Sequence, residues 1–154
     1  MTYKKFALFC CATLVAPIAL SGCATVEEAV AEAVAETRYA TLDSAQVVGS
    51  SGDSDGYAKA ELTVTDELNQ VCYDVNDIRN LGAITSITIN RGMRGSTGPV
   101  ALRLKQANEG GWKNCVGRSE WLEESFERAP GSYYIQIATS AYPNGAIRGQ
   151  FVRN

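Results

Sequence analysis

The chain has 154 residues, the size of one domain rather than two. Charged residues make up 20% and hydrophobic ones 45%, the balance of a packed globular domain and too apolar for a disordered one. No histidine occurs, which excludes Ser-His-Asp and Cys-His catalysis and every His-ligated zinc or copper site. Acidic residues outnumber basic ones, 17 to 14, which argues against a nucleic-acid-binding domain.

Residues 1–22 read as a removable leader. Lys4 and Lys5 form a positive start, Phe6 to Leu20 is almost wholly apolar, and the small residues Ser21 and Gly22 follow. The apolar run is too short for a comfortable membrane span. It ends in Leu20-Ser21-Gly22-Cys23, which matches the lipobox of bacterial lipoproteins. That resemblance implies cleavage before Cys23, diacylation of its sulfur and acylation of the new N-terminus. Several acyl chains would hold the protein firmly, since each buried methylene contributes about 0.8 kcal/mol. Ala24 follows the cysteine, where an Asp would imply inner-membrane retention, so the expected location is the outer membrane of a bacterial envelope. The alternative is a plain secreted protein with Cys23 free. Loss of the leader would leave 132 residues with 12 basic against 17 acidic side chains, a net charge of −5.

Cys10 and Cys11 would leave with the leader and Cys23 would carry lipid, so Cys72 and Cys115 remain. In an oxidising compartment these two most simply pair with each other. The closed loop would contribute roughly 4 kcal/mol on the chain-entropy estimate. Two free, buried thiols are the alternative.

From Thr25 to Arg38 the chain is rich in Ala and Glu, with Val26, Val30 and Val34 at helical spacing. The apolar stripe is thin and the segment short. We read residues 23–38 as a lipidated, semi-rigid tether rather than a coiled coil.

Residues 39–154 form the expected domain. Ala58, Ala60, Leu62 and Val64 alternate with Lys59, Glu61, Thr63 and Thr65, the clearest half-buried strand. Similar patterns occur at Tyr39 to Val48, Val71 to Val75, Ile84 to Asn90, Val100 to Leu104, Tyr133 to Thr139 and Ala146 to Val152. Short strands separated by Gly, Asp and Asn clusters predict an all-β, Greek-key, immunoglobulin-like sandwich of seven or eight strands. Asn144-Gly145 is expected to supply the two positive φ values of a tight hairpin between the last two strands. One short helix is predicted over Ser119 to Arg128, capped by Ser119, with Leu122 and Phe126 on one face and Glu124 and Arg128 at i, i+4. Its carboxylates, Glu120, Glu123, Glu124 and Glu127, read as a solvated face.

The segment Tyr133-Tyr134-Ile135-Gln136-Ile137-Ala138-Thr139, then Tyr142-Pro143-Asn144-Gly145-Ala146-Ile147-Arg148-Gly149-Gln150, resembles the C-terminal signature of the CHRD (chordin) domain. Tyr142, Pro143, Gly145, Arg148 and Gly149 carry its most specific part. Leu42 to Val48 resembles the opening strand of that family, Cys72-Tyr73 its "CY" pair, and Gly92 to Val100 its glycine-rich loop before a "GPV" strand. The cysteines also agree with the family's positions. The likeness spans residues 39 to 154 in the family's order. Three histidines customary in the family are replaced, by Thr88, Asn90 and Ala138. A metal or titration role through those histidines is therefore closed to this chain. Thr88 and Asn90 are expected to keep a neutral hydrogen-bonded pair in their place.

Other candidates are modest. Gly52-Asp53-Ser54-Asp55-Gly56 has the look of a calcium loop but lacks the further acids of a complete EF-hand, so a turn is expected. Arg91 and Arg94, among Gly92 and Gly95, form a candidate loop for an anionic group. Arg148, on the face opposite Ile147 and Phe151, calls for a carboxylate partner, with Asp74 and Asp77 as candidates. Trp112, Trp121, Tyr133, Tyr134 and Tyr142 suit core and rim packing or a glycan platform. The serines lack a histidine, and Lys59, Lys105 and Lys113 fall in no Ser-Lys motif, so no catalytic residue is assigned. The expectation is a non-catalytic binding or interaction module without cofactor or metal, membrane-bound through Cys23, engaging an envelope protein or glycan through loops at one end. The alternatives are a periplasmic metal-handling protein or enzyme, and a purely structural envelope lipoprotein.

Overall fold

The structure, a computed structural model, describes residues 36–65, 70–117, 126 and 128–152. The lipobox and Cys23, the tether before Glu36, and the predicted helix apart from Phe126 and Arg128 lie outside the described residues; those two residues have helical backbone.

Eight strands follow in chain order: β1 Glu36–Leu42, β2 Tyr57–Thr65, β3 Gln70–Arg79, β4 Ile84–Arg91, β5 Val100–Arg103, β6 Trp112–Gly117, β7 Tyr133–Thr139 and β8 Ile147–Gln150. They form two antiparallel four-stranded sheets, ordered β1-β2-β3-β6 and β5-β4-β7-β8. The expected all-β sandwich is thus observed. After β5 the chain returns to the first sheet and β6 lies beside β3, which is the Greek-key step. An immunoglobulin constant domain orders its first sheet A-B-E-D, whereas here β1, β2 and β3 form a meander. The likeness to it is one of architecture rather than strand order.

Alternation decides which side chains meet between the sheets. Ala58, Ala60, Leu62 and Val64 on β2 and Val71, Tyr73 and Val75 on β3 face Ile87 and Ile89 on β4, Ile135 and Ile137 on β7 and Ile147 on β8. The β-branched isoleucines stack across the register pairs Ile89↔Ile135, Ile87↔Ile137 and Ile137↔Ile147. Phe126 closes one end, meeting Tyr133 and Phe151 edge to face at 5.3 Å each. The buried Tyr73 hydroxyl donates to the Lys105 carbonyl and accepts from the Lys105 N–H, both at 2.9 Å. It thereby pins the segment that carries the chain from β5 to β6.

Several boundaries differ from the sequence pattern. β1 begins at Glu36, so three residues assigned to the tether pair with β2. It ends at Leu42 rather than Val48, because the Asp43 carboxylate accepts the Gln46 N–H at 3.1 Å and starts a 3-10 turn over Ser44–Gln46. β6 was not expected at all. The hairpin between β7 and β8 is also looser than predicted. The Gly145 N–H donates to the Tyr142 carbonyl at 3.1 Å, placing Pro143 and Asn144 at the centre of the turn. Of the expected pair with positive φ, Gly145 alone has it, at 127°. Proline fixes φ near −65°, which suits the first central position of an ordinary β-turn and moves the turn one residue upstream.

The two sheets are joined at one corner. Tyr39 bridges to Val152 and Asp43 to Arg148, so β1 continues onto β8. A Cβ on Gly149 would come within 2.6 Å of the Thr41 carbonyl oxygen, so only glycine allows the two strands this close. The family-signature glycine is therefore a packing requirement of the corner.

Candidate functional site

The outer face of the second sheet is unusual. With Ile87, Ile89, Ile135, Ile137 and Ile147 turned inward, Thr88, Asn90, Tyr134, Gln136, Ala138, Arg148 and Gln150 must turn outward. Outer-face residues of an antiparallel sheet are ordinarily solvated. Here Thr88, Asn90, Tyr134, Ala138, Arg148 and Gln150 are all buried.

The glycine-rich loop from Arg91 to Pro99 covers part of this face. Its ends are pinched by the Arg91 N–H donating to the Pro99 carbonyl at 2.9 Å, and Gly92 N–H reaches Ser132 O at 2.8 Å. Gly98 lies so close to the Arg91 carbonyl that a Cβ would fall 1.6 Å from its oxygen. The loop can therefore fold back only with glycine at position 98.

Arg148 fastens the loop from beneath. One of its terminal nitrogens donates to Ser96 O at 2.8 Å; the other donates to Met93 O at 3.0 Å and to Gln150 Oε1 at 3.3 Å. The guanidinium carbon stands 3.5 Å over the Tyr134 ring centroid. The Tyr134 hydroxyl in turn accepts the Gly98 N–H at 3.3 Å. Burial lowers the Arg148 pKa from its ordinary value; Tyr134 works against that shift and the charge of Arg94 adds to it. Gln150 completes the fastening, with Nε2 placed 2.8 Å from each of the carbonyl oxygens of Gly92, Gly131 and Tyr133.

The expected carboxylate partner for Arg148 is not there. Asp74 pairs with Lys113 at 3.1 Å, and Asp77 pairs with Arg79 and, at 3.7 Å, with Lys59. Both aspartates lie on the outer side of the first sheet, across the whole sandwich from Arg148. Backbone carbonyls and an aromatic face compensate the buried cation instead.

Thr88 and Asn90 form the expected neutral pair: Asn90 Nδ2 donates to Thr88 Oγ1 at 3.0 Å and lies 3.2 Å from its carbonyl oxygen. Ala138 stands in register with Ser86 on the neighbouring strand of the same face. Among the described residues no three of His, Cys, Asp and Glu gather closely enough to hold a metal ion. Asp53 and Asp55 occupy a turn closed by Gly56 N–H on the Asp53 carbonyl at 3.1 Å. The Asp53 carboxyl is raised above its ordinary value, first by desolvation and then by the hydrogen bond and charge of Asp55.

Beside the loop lies a cleft of about 420 Å³, lined by Arg91, Gly92, Met93, Arg128, Ala129, Ser132 and Tyr133. Met93 is 66% exposed. Of the two candidate loop arginines, Arg91 lines this cleft, with its guanidinium 6.0 Å from the Tyr133 ring centroid, whereas Arg94 is exposed on the loop and does not.

A family model for the CHRD domain matches residues 38–151, covering every described strand from Arg38 onward. The chain belongs to the CHRD domain family. No curated protein and no solved structure matches it. Within this CHRD domain the signature has a physical meaning: Gly149 permits the β1–β8 corner, and Arg148 holds the glycine-rich loop. Gln150 and Tyr134 share that task, whereas the sequence placed Gln150 only in the signature and Tyr134 there and among the packing or glycan-platform aromatics. The available signal was polar Arg148 and Gln150 alternating on a strand whose other face is apolar. Cys72 and Cys115 are joined in a disulfide, as expected from their number.

Proposed function

We propose that this CHRD-domain protein is a non-catalytic interaction module, tethered through a lipidated Cys23 to the outer membrane, that engages an envelope protein or glycan at the end bearing the Arg91 to Pro99 loop. The observation that carries the reading is the rigidly fastened loop, which presents Met93 and Arg94 to solvent beside a cleft lined by Arg91 and Tyr133. An exposed methionine next to an arginine and an aromatic ring suits recognition, and a preorganised loop loses little entropy on binding. The non-catalytic part rests on chemistry: no serine or cysteine has an imidazole to activate it.

The test places a photo-crosslinking side chain at Met93, and as a control at Lys59 on the opposite sheet, in the full chain in cells. A discrete, saturable adduct from position 93 alone, reduced about ten-fold by Arg94→Glu, is expected. Equal adducts from both positions, or insensitivity to Arg94→Glu, would overturn the reading. Cys23→Ser tests the anchor separately: the variant should leave the membrane fraction or remain unprocessed.

A further inference from the structure

We propose that the Cys72–Cys115 bond is a thiol-exchange site that an external dithiol reduces while the domain stays folded, with attack at Cys115 Sγ. Three observations carry this. The bond lies outside the core. Val71, Tyr73 and Val75 turn inward on β3, so Cys72 turns outward and is half-buried, while Cys115 on β6 is exposed. The bond also joins residues that already face each other. Cys72↔Cys115 sits inside a continuous register from Gln70↔Gly117 to Val75↔Trp112, and Tyr73 independently pins the segment leading to β6. Breaking it leaves those backbone contacts in place.

The third observation is access. A shallow groove lined by Glu61, Thr63, Asp74 and Lys113 contains both cysteines. A thiolate must approach in line with the S–S bond, from behind the sulfur it attacks. Behind Cys72 stands β2, with Thr63 in register against it; behind Cys115 no further strand lies among the described residues, because β6 is the last strand of its sheet. Attack therefore falls on Cys115 Sγ and expels Cys72 as a thiolate. A second thiol of the same reagent then displaces Cys115, so the dithiol is oxidised to its disulfide and two electrons and two protons pass to the chain. Exposed disulfides are the class most open to this exchange.

The probes are dithiothreitol and glutathione, applied to the mature full chain in native buffer, with acid quenching, alkylation and peptide mass analysis. The expected rate of thiol release is proportional to dithiothreitol concentration and at least ten-fold faster than global unfolding measured by hydrogen exchange, with the hydrogen-exchange protection of β4 and β7 unchanged in the reduced chain. Glutathione should be trapped on Cys115, with Cys72 alkylated, at least ten times more often than the reverse. A release rate that equals the unfolding rate and ignores thiol concentration, or adducts divided evenly between the cysteines, would overturn the proposal.

Discussion

The Arg148 guanidinium stands 3.5 Å over the ring of Tyr134, and that ring's hydroxyl accepts the N–H of Gly98 in the loop that Arg148 itself holds. One aromatic side chain thus supports the cation from below and the loop from its edge. The arrangement replaces the carboxylate that a buried arginine usually finds. It works because the Met93 and Ser96 carbonyls turn their oxygens onto the guanidinium.

Replacing Arg148 should therefore damage both stability and the loop. Arg148→Ala leaves two carbonyls of the loop and Gln150 Oε1 without their donor and is expected to cost about 2–4 kcal/mol. Arg148→Lys keeps the charge but cannot span both carbonyls with a planar fork, and should recover less than half of that loss. Urea unfolding of both variants measures the difference; a loss below about 0.5 kcal/mol for Arg148→Ala would contradict the role given to it.

Gly98→Ala tests whether the loop must fold back on the sheet. A methyl group 1.6 Å from the Arg91 oxygen cannot be accommodated, so the loop has to move. The variant is expected to cost about 1–3 kcal/mol and to open the Arg91 to Pro99 segment to limited proteolysis. Wild-type resistance to cleavage would show that the contact is dispensable.

Thr88→Ala and Asn90→Ala probe the positions where the family customarily carries histidine. Each removes one neutral hydrogen bond at the 3.0 Å Thr88–Asn90 contact, so a loss on the order of 1 kcal/mol is expected. The double variant should cost less than the sum of the singles, because both remove the same contact. Thermal unfolding of the three proteins completes the cycle.

Asp53 gives a pH dependence of defined sign. Its folded pKa lies above the ordinary 3.8, so below 3.8 both folded and unfolded chains hold the proton. As pH rises from there through the raised folded value, the unfolded chain loses the proton first. This group's contribution to stability therefore declines across that window and stays low above it. Asp53→Asn should raise the melting temperature relative to the parent at pH 7 and lose that advantage at pH 3. An unchanged difference between the two pH values would contradict the assignment.

How much was legible depended on whether a residue's environment is set by its own strand. β2 and β7 were legible because alternation marks their buried faces: Leu62 and Ile137 could point nowhere else. β6 was not, since Trp-Lys-Asn-Cys-Val-Gly carries few apolar residues and follows Gly110-Gly111. It becomes a strand only by pairing with β3. Arg148 was correctly placed on the outward face, yet its partners were misjudged. They are backbone carbonyls of a loop some fifty residues upstream, and any residue type can offer a carbonyl. The Thr88–Asn90 pair was legible because two polar residues two apart on one strand share a face.

The corner where β1 meets β8 bears on how the domain is made. Tyr39 and Val152, like Asp43 and Arg148, come from opposite ends of the domain's sequence. As the chain is synthesised, β1 can find β2 early, but its second neighbour arrives last. The loop above Arg148 shares that delay, because its guanidinium clasp belongs to the final strand. Closure is therefore a late, long-range event that waits for delivery of the C-terminal strand.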